Sequence, residues 1–237
     1  MKVSLKSALM GLVALVLLVG LIPAGFLLDR RLVGALEEGV RVDLATAPVV
    51  LRDHFGNQAG ARMMHAKEMA THPDLTAAVE RGDEGGAVGL AATIAGAFPG
   101  ESPVLVDGEN ISLVGPAVPD RIVELTKGGE MPVLVVQTEI GLGTFAVAPI
   151  MTDGQWIGAA GVWVPMDDDE AAHLSALTRS NVLLMAPDEA LAGYTGRPQP
   201  AMGLFELLAS RPVSEEVSEF ELAGERYLVV SAFLPGG

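Results

Sequence analysis

Three side chains able to hold a metal, His65, Glu68 and His72, stand at positions i, i+3 and i+7. On an unbroken helix this spacing gathers them on one face, where two imidazoles and a carboxylate suit zinc. An exposed polar helix face ending at Pro73 explains the same residues more simply, and no metal is expected. The acidic run Asp167-Asp168-Asp169-Glu170 offers the oxygens that calcium takes, yet it also stands where a helix N-terminus favours acids. Capping by Asp167 is the expected role. The stretch Gly141-Leu142-Gly143-Thr144-Phe145-Ala146 satisfies the G-x-G-x-x-A dinucleotide pattern. It lies between two strand-like runs instead of opening a helix, which fits a hairpin turn better. G-x-S-x-G, H-E-x-x-H and P-loop patterns are absent, as is cysteine. Serine and histidine show no spacing that would pair a nucleophile with a base. The expectation is therefore a protein without catalytic residues or cofactor.

What remains is recognition. The chain has only two tryptophans, and Trp163 alternates with Val162 and Val164 in an apolar run while Trp156 lies near the preceding turn. An indole facing a pocket supplies a large apolar surface with one polar handle. Filling of the core by both is the competing reading. Gln137, Thr138 and Thr144 are polar residues on strand-like runs that could point to the same cavity, and Arg121 would supply charge for an anionic ligand. Arg121, Gln137, Thr138, Thr144 and Trp163 form the expected ligand-binding set, on the concave face of a strand meander.

The elements that must position these residues are legible as patterns. From residue 32 to about 71 the apolar residues recur at threes and fours, which predicts a long helix with a break near Pro48. A short helix capped by Asp74 follows through Glu80 and stops at Gly82, and residues 84–98 form a weaker helical stretch. After Pro99-Gly100 the character changes. Residues 103–106 and 111–114 read as strands around the turn Asp107-Gly108-Glu109-Asn110, and 120–126 as a helical turn. Runs at 133–139, 144–151 and 155–164 read as an antiparallel meander, with turns at Gly141-Leu142-Gly143 and Asp153-Gly154. A helix over 167–178, a strand at 182–185, a loop over 193–200 and a terminal strand pair at 217–222 and 226–233, turning at Gly224, complete the pattern. This is an α+β plan: an antiparallel sheet covered by helices.

Residues 8–28 (ALMGLVALVLLVGLIPAGFLL) are 21 residues without a charge. As a helix they reach roughly 31 Å, about the hydrocarbon thickness of a bilayer. A cleaved signal peptide ending at Ala24 competes with a membrane span, although Ile22 fits its small-residue site poorly and the apolar run continues past it. Residues 1–31 carry four basic groups against one acid, whereas the other 206 residues carry 11 basic and 29 acidic groups. Basic flanks stay cytoplasmic, which places the acidic bulk outside a single-pass membrane helix. Nucleic acid is not expected as a partner, because phosphates would meet like charge. Arginine outnumbers lysine 11 to 4 in an Ala/Gly/Val-rich chain, which points to a bacterial inner membrane.

One family resembles this chain. The run Ala66-Lys67-Glu68-Met69-Ala70-Thr71-His72-Pro73-Asp74-Leu75, continuing to Ala78-Val79-Glu80-Arg81-Gly82-Asp83, resembles the opening of bacterial extracytoplasmic Cache-type sensor domains. Val106-Asp107-Gly108, Phe145-Ala146-Val147-Ala148-Pro149-Ile150 and Ile157-Gly158-Ala159-Ala160-Gly161-Val162 are similar to that family's succession of strands around a pocket. The helix at 170–178 followed by Val182-Leu183-Leu184 resembles the link into a second lobe of double Cache domains. The resemblance spans about residues 35–233. It implies a PAS-like antiparallel sheet with flanking helices and a sensor of small molecules that is not an enzyme. It also implies a homodimer formed through the long helix, and signalling through a cytoplasmic module absent from this chain. The aromatic and arginine signature of amino-acid-binding members is missing, so an amino-acid ligand is not implied. The expected division is a cytoplasmic tip and membrane helix at 1–31, a stalk helix with short helices at 32–98, a membrane-distal sheet lobe at 99–178 and a smaller lobe, whole or truncated, at 179–237. A membrane-anchored periplasmic hydrolase and a structural anchor are the rival functions.

Overall fold

The computed structural model describes residues 5–185, 191–195, 203, 205–208 and 213–233. Its spine is one helix, α1 (Leu5–Ala70), whose 66 residues reach roughly 100 Å. The side chains of residues 5–29 lie outside the described ones. Among the described residues no helix is long and apolar enough to cross a membrane. The span over residues 8–28 therefore rests on the sequence.

The expected break at Pro48 does not occur: α1 runs straight through it. Proline removes one helical hydrogen bond, here the one to the Leu44 carbonyl. Packing offsets that loss. Leu44, Ala47 and Phe55 are buried on either side, so tertiary packing holds the helix across the defect.

Two short helices fold back beside the end of α1. His72, not the expected Asp74, occupies the N-cap position of α2 (Pro73–Glu80), because Pro73 already opens the helix and puts Asp74 inside its first turn; Gly82 leaves it with φ +69°. Asp83 then caps α3 (Glu84–Ala95) by accepting from the Gly86 amide at 3.0 Å. The strands follow: β1 (Ser102–Asp107), β2 (Ser112–Val114), β3 (Val133–Thr138), β4 (Gly141–Thr152) and β5 (Gln155–Pro165), with α4 (Asp120–Lys127) between β2 and β3. They form one antiparallel sheet in the order β2-β1-β5-β4-β3. The meander β3-β4-β5 is as expected, and β1 extends it by pairing along β5 from Ser102↔Trp163 to Asp107↔Gly158.

Alternation of side chains gives the sheet two faces. One face carries Leu105, Ala146, Ala148, Ile150, Ala160 and Val162 against α1, α2 and α3, which meet it with Ala66, Met69, Leu75 and Ala91. Alanines on both sides let helix and sheet backbones approach closely. The other face carries Val104, Val106, Phe145, Val147 and Trp163 beneath Ile122 and Val123 of α4.

After β5, α5 (Asp168–Thr178) packs Ala171 and Leu174 against Phe55 of α1 and Leu142 of β4. Asp167 caps it as expected, accepting from the amides of Asp169 (3.0 Å) and Glu170 (3.2 Å). We predict that Asp167→Ala costs about 1 kcal/mol, read as a lower thermal midpoint, whereas Asp167→Asn stays near wild type.

Two hairpins complete the described chain. β6 (Leu183–Met185) pairs with β7 (Leu191–Tyr194), so the loop expected from Gly193 begins only after a strand. The Tyr194 amide is held by the Asp168 carboxylate at 2.9 Å, a tertiary partner invisible in local sequence. β8 (Ser218–Leu222) and β9 (Glu225–Val229) turn at Ala223-Gly224, where both residues have positive φ. This hairpin lies along α1 through Arg41–Glu219 at 3.0 Å, Arg52–Glu215 at 2.6 Å and the pair Arg226–Glu37. All are solvent-exposed pairs, worth at most about 1 kcal/mol each.

Candidate functional site

The face beneath α4 is where recognition chemistry gathers. Register aligns Trp163 of β5 with Phe145 of β4 and Ser102 of β1, and the tryptophan side chain is 8% exposed. Its indole lies flat across Gly143: a Cβ there would fall 2.2 Å from the indole Nε1. Gly143 is thus a strand residue that makes room for a ring, not the turn residue expected from the Gly-Leu-Gly pattern. The hairpin turn sits just before it, at Glu139-Ile140, with Gly141 at φ +127°.

Trp156 packs against the same apolar cluster, with the Lys127 ammonium 5.3 Å from its ring. Both indole N–H groups, of Trp163 and Trp156, are buried and have no hydrogen-bond partner among the described residues. A buried donor left unpaired costs about 1–3 kcal/mol. The two stand seven residues apart on β5, roughly 20 Å, so each donor needs an acceptor of its own.

The other expected ligand residues are distributed differently. Thr138 continues the side of β3 that carries Leu134 and Val136 toward α4, but its hydroxyl closes the hairpin, donating to the Gly141 carbonyl at 2.9 Å and accepting from the Ile140 amide at 3.3 Å. Gln137 is exposed and donates to the Thr138 carbonyl at 3.4 Å. Arg121 is exposed on α4, next to the buried Ile122 and Val123. Thr144 is buried on the opposite face, between Leu142, clustered with Phe55, and Ala146, clustered with Ala66. That position faces the middle of α1. Of the five, the structure brings Trp163 and Thr138 to one face.

A second polar group lies on α1, and of its members only His65 is among the residues expected to bear chemistry. His54, Gln58, Arg62 and His65 recur at i, i+4, i+8 and i+11 along α1, a single helical stripe. Glu170 of α5 and Glu101, just before β1, face it. His54 Nε2 lies 2.7 Å from Gln58 Nε2 and 4.0 Å from Glu170 Oε1, and its ring centroid is 5.2 Å from that of His173. His65 Nδ1 lies 2.9 Å from Glu101 Oε2, and its ring stacks on Phe98 at 3.9 Å. Arg62, 7% exposed, sits between the two carboxylates and interacts with both at longer range; burial lowers its pKa against their attraction. Gln58 Oε1, Thr144 Oγ1 and Glu170 Oε1 are buried without a hydrogen-bond partner. The i+4 recurrence of polar residues is the sequence signal of this stripe, which shares only His65 with the metal-like set His65, Glu68 and His72. α1 ends at Ala70, so His72 leaves that face, and Glu68 is exposed. Among the described residues no three His, Asp or Glu are placed to hold a metal ion.

A long helix backs an antiparallel sheet of order β2-β1-β5-β4-β3, with a small helix over the opposite face, and this fold is shared with solved sensory domains, consistent with the Cache-type resemblance. Solved structures bear this out. The ligand-binding domain of the Campylobacter jejuni chemoreceptor Tlp3, in complex with L-valine, is 13% identical with a TM-score of 0.50, over 84% of this chain and 89% of that one. The periplasmic domain of Vibrio cholerae LuxQ is 13% identical with a TM-score of 0.51, over 77% and 95%. The ligand-binding domain of Mlp24 with asparagine is 14% identical with a TM-score of 0.51, over 84% and 90%. No protein-family profile and no curated protein sequence matches the chain.

Proposed function

We propose that this chain is the extracytoplasmic ligand-sensing part of a bacterial membrane-bound signal-transduction protein. A small molecule binds beneath α4, and α1 carries the response toward an inner-membrane helix at residues 8–28. The observation that supports this most directly is the buried, unpartnered indole donor of Trp163 in an apolar layer. The sheet fold, shared with domains solved with L-valine and with asparagine, supports a ligand of similar size. Thr138 shares the side of the sheet that carries Trp163 and Arg121 is exposed on α4 above it, while Thr144 and Gln137 belong to the other side of the sheet. The sheet lobe at 99–178 is the binding unit in this reading, 32–98 its stalk and 179–237 a smaller membrane-proximal lobe. A homodimer formed through α1 and a cytoplasmic signalling module complete the proposal.

Both tryptophans of the chain lie at this face, so intrinsic fluorescence reports on it alone. The full chain in detergent is screened against amino acids, carboxylates, amines and sugars, reading thermal midpoint and tryptophan emission together. A ligand at a hundred times its Kd stabilises by about 2.7 kcal/mol, a rise of roughly 5–10 °C for a domain of this size. At least one compound is expected to raise the midpoint and change the emission, and Trp163→Phe to weaken both effects. A screen in which no compound moves either quantity returns the protein to the class of structural anchors.

A further inference from the structure

The layer beneath α4 offers a ligand no charge. Between Ser102 and Pro165, the stretch that builds the sheet and α4, every charged side chain is exposed except Asp107. That carboxylate is half-buried and already engaged, since it closes its own turn by accepting from the amides of Glu109 (2.9 Å) and Ile111 (2.8 Å). Of the two cations, Arg121 is exposed on α4. Lys127 pairs with Glu124 at 3.0 Å beside Trp156, at the opposite end of β5 from Trp163. Among the described residues the one fully buried charged side chain is Arg62, on α1 behind the sheet.

Neutral polar groups are spent as well. Thr126, the buried polar residue of α4, donates its hydroxyl proton to the Val123 carbonyl at 2.8 Å, and Thr138 closes the β3–β4 hairpin. The buried oxygens that lack a partner, on Gln58, Thr144, Glu170 and Thr152, lie behind the sheet or at the far end of its β4–β5 hairpin. What remains is an apolar layer of Val104, Phe145, Val147, Ile122 and Val123 around Trp163, whose indole N–H is buried and unpaired. An indole donates but does not accept.

We infer that the molecule bound beneath α4 is neutral and mostly apolar, with an acceptor oxygen as its one required polar group, as in an aliphatic ketone or ester. This rests on the reading that a small molecule binds on this side of the sheet. The oxygen takes the Trp163 N–H, and the hydrocarbon part lies among Val104, Phe145 and Val147. A carboxylate or an ammonium brought here would lose its water and meet no opposite charge, a cost that contact with aliphatic side chains does not return. Free amino acids carry both charges and are therefore poor ligands for this layer. A hydroxyl also matches less well than a carbonyl. Its own proton finds no free side-chain acceptor beside Trp163, and the backbone carbonyls of the central strands β4 and β5 are engaged in ladders on both sides. Room is made by α4, an eight-residue helix that meets the layer through Ile122 and Val123.

The test uses the full chain in detergent and four probes that share a straight six-carbon chain: 2-hexanone, 1-hexanol, hexanoate and L-norleucine. Binding is followed by ligand-observed NMR titration, with protein-free micelles as the blank. The ketone is expected to bind tightest and the alcohol about tenfold more weakly, with no binding of hexanoate or L-norleucine at concentrations where the ketone saturates. Trp163→Phe is expected to weaken the ketone about tenfold and to bring ketone and alcohol within twofold of each other, whereas Trp156→Phe keeps the wild-type order. Infrared difference spectra of carbon-13-labelled ketone on the wild-type protein read the same hydrogen bond without a variant, should Trp163→Phe not fold. The bound carbonyl stretch is expected at lower wavenumber than that of the ketone in hydrocarbon solvent. Tighter binding of L-norleucine or hexanoate than of 2-hexanone overturns the inference and leaves the sensor reading intact. Ketone binding that ignores Trp163→Phe, or an unshifted carbonyl stretch, overturns it too. Failure of all four probes also overturns it, and the sensor reading then stands or falls with the broader screen.

Discussion

Gly161→Ala is expected to be among the most damaging single-atom additions in this protein. A Cβ at residue 161 would fall 1.9 Å from the Ala146 carbonyl oxygen and 2.8 Å from the Val147 Cα. Both obstacles are backbone of the neighbouring strand, so no side chain can swing aside. The pair Val147↔Gly161 lies in the middle of the β4–β5 ladder, the longest in the sheet. Opening that ladder also disturbs Ala160 and Val162 on one face and Trp163 on the other. Overpacking against rigid partners belongs at or above the top of the usual range, about 3 kcal/mol, which for a chain of this size lowers the thermal midpoint by roughly 6–12 °C. Gly89→Ala is the contrasting substitution. It adds the same atom to α3 where nothing lies within 4 Å, and it is expected to stabilise by about 0.5–1 kcal/mol because alanine is the better helix former. Thermal unfolding of the two variants side by side separates close backbone approach from a general intolerance of change.

The second large effect is expected at Phe145→Ala. Phe145 is fully buried in the layer beneath α4, where Val104, Val147, Ile122 and Trp163 surround it. Truncation of a phenylalanine in such a place costs about 3–5 kcal/mol, the transfer term plus the cavity that neighbours cannot fill. The aromatic neighbour makes the change visible by a second route: tryptophan emission should shift to the red as water gains access to the indole of Trp163. Ile140→Ala, at a 64% exposed hairpin tip, should stay within about 0.5 kcal/mol of wild type. Equal losses at the two positions would contradict the packing of the α4 face described above.

Local patterns made much of this architecture legible. Turn residues marked the hairpins at Asp153-Gly154 and Gly224, and these residues do take positive φ. The apolar runs at 133–139, 144–151 and 155–164 became β3, β4 and β5 with boundaries shifted by a few residues. Asp167 was recognised as a cap because a carboxylate before three further acids has an obvious electrostatic use. The misreadings share a cause. Pro48 and Gly143 were judged by intrinsic preference, but burial of Leu44, Ala47 and Phe55 overrides the first and the ring of Trp163 explains the second. β7 needed the Asp168 carboxylate and the partner strand β6, neither of which leaves a trace in residues 191–194. Of the candidate site, Trp163 was identifiable from its rarity and its strand. The side of the sheet taken by Thr144 depended on a register that begins at Gly141, three residues before the strand seemed to start. The α1 stripe required Glu101 and Glu170 to come together from distant parts of the chain.

The place of β1 in the sheet has a consequence for biosynthesis. β1 pairs with β5, a segment about fifty to sixty residues further along the chain. At typical elongation rates that second segment leaves the ribosome roughly 3–12 s later. During this interval Val104, Leu105 and Val106, all fully buried in the finished domain, have no central strand to join. A nascent chain in this condition presents an apolar ribbon with unsatisfied backbone groups, the kind of edge that recruits chaperones or other copies of itself. Expression fragments that stop before residue 155 preserve that condition permanently and should collect in inclusion bodies, whereas fragments extending through Pro165 supply the missing neighbour.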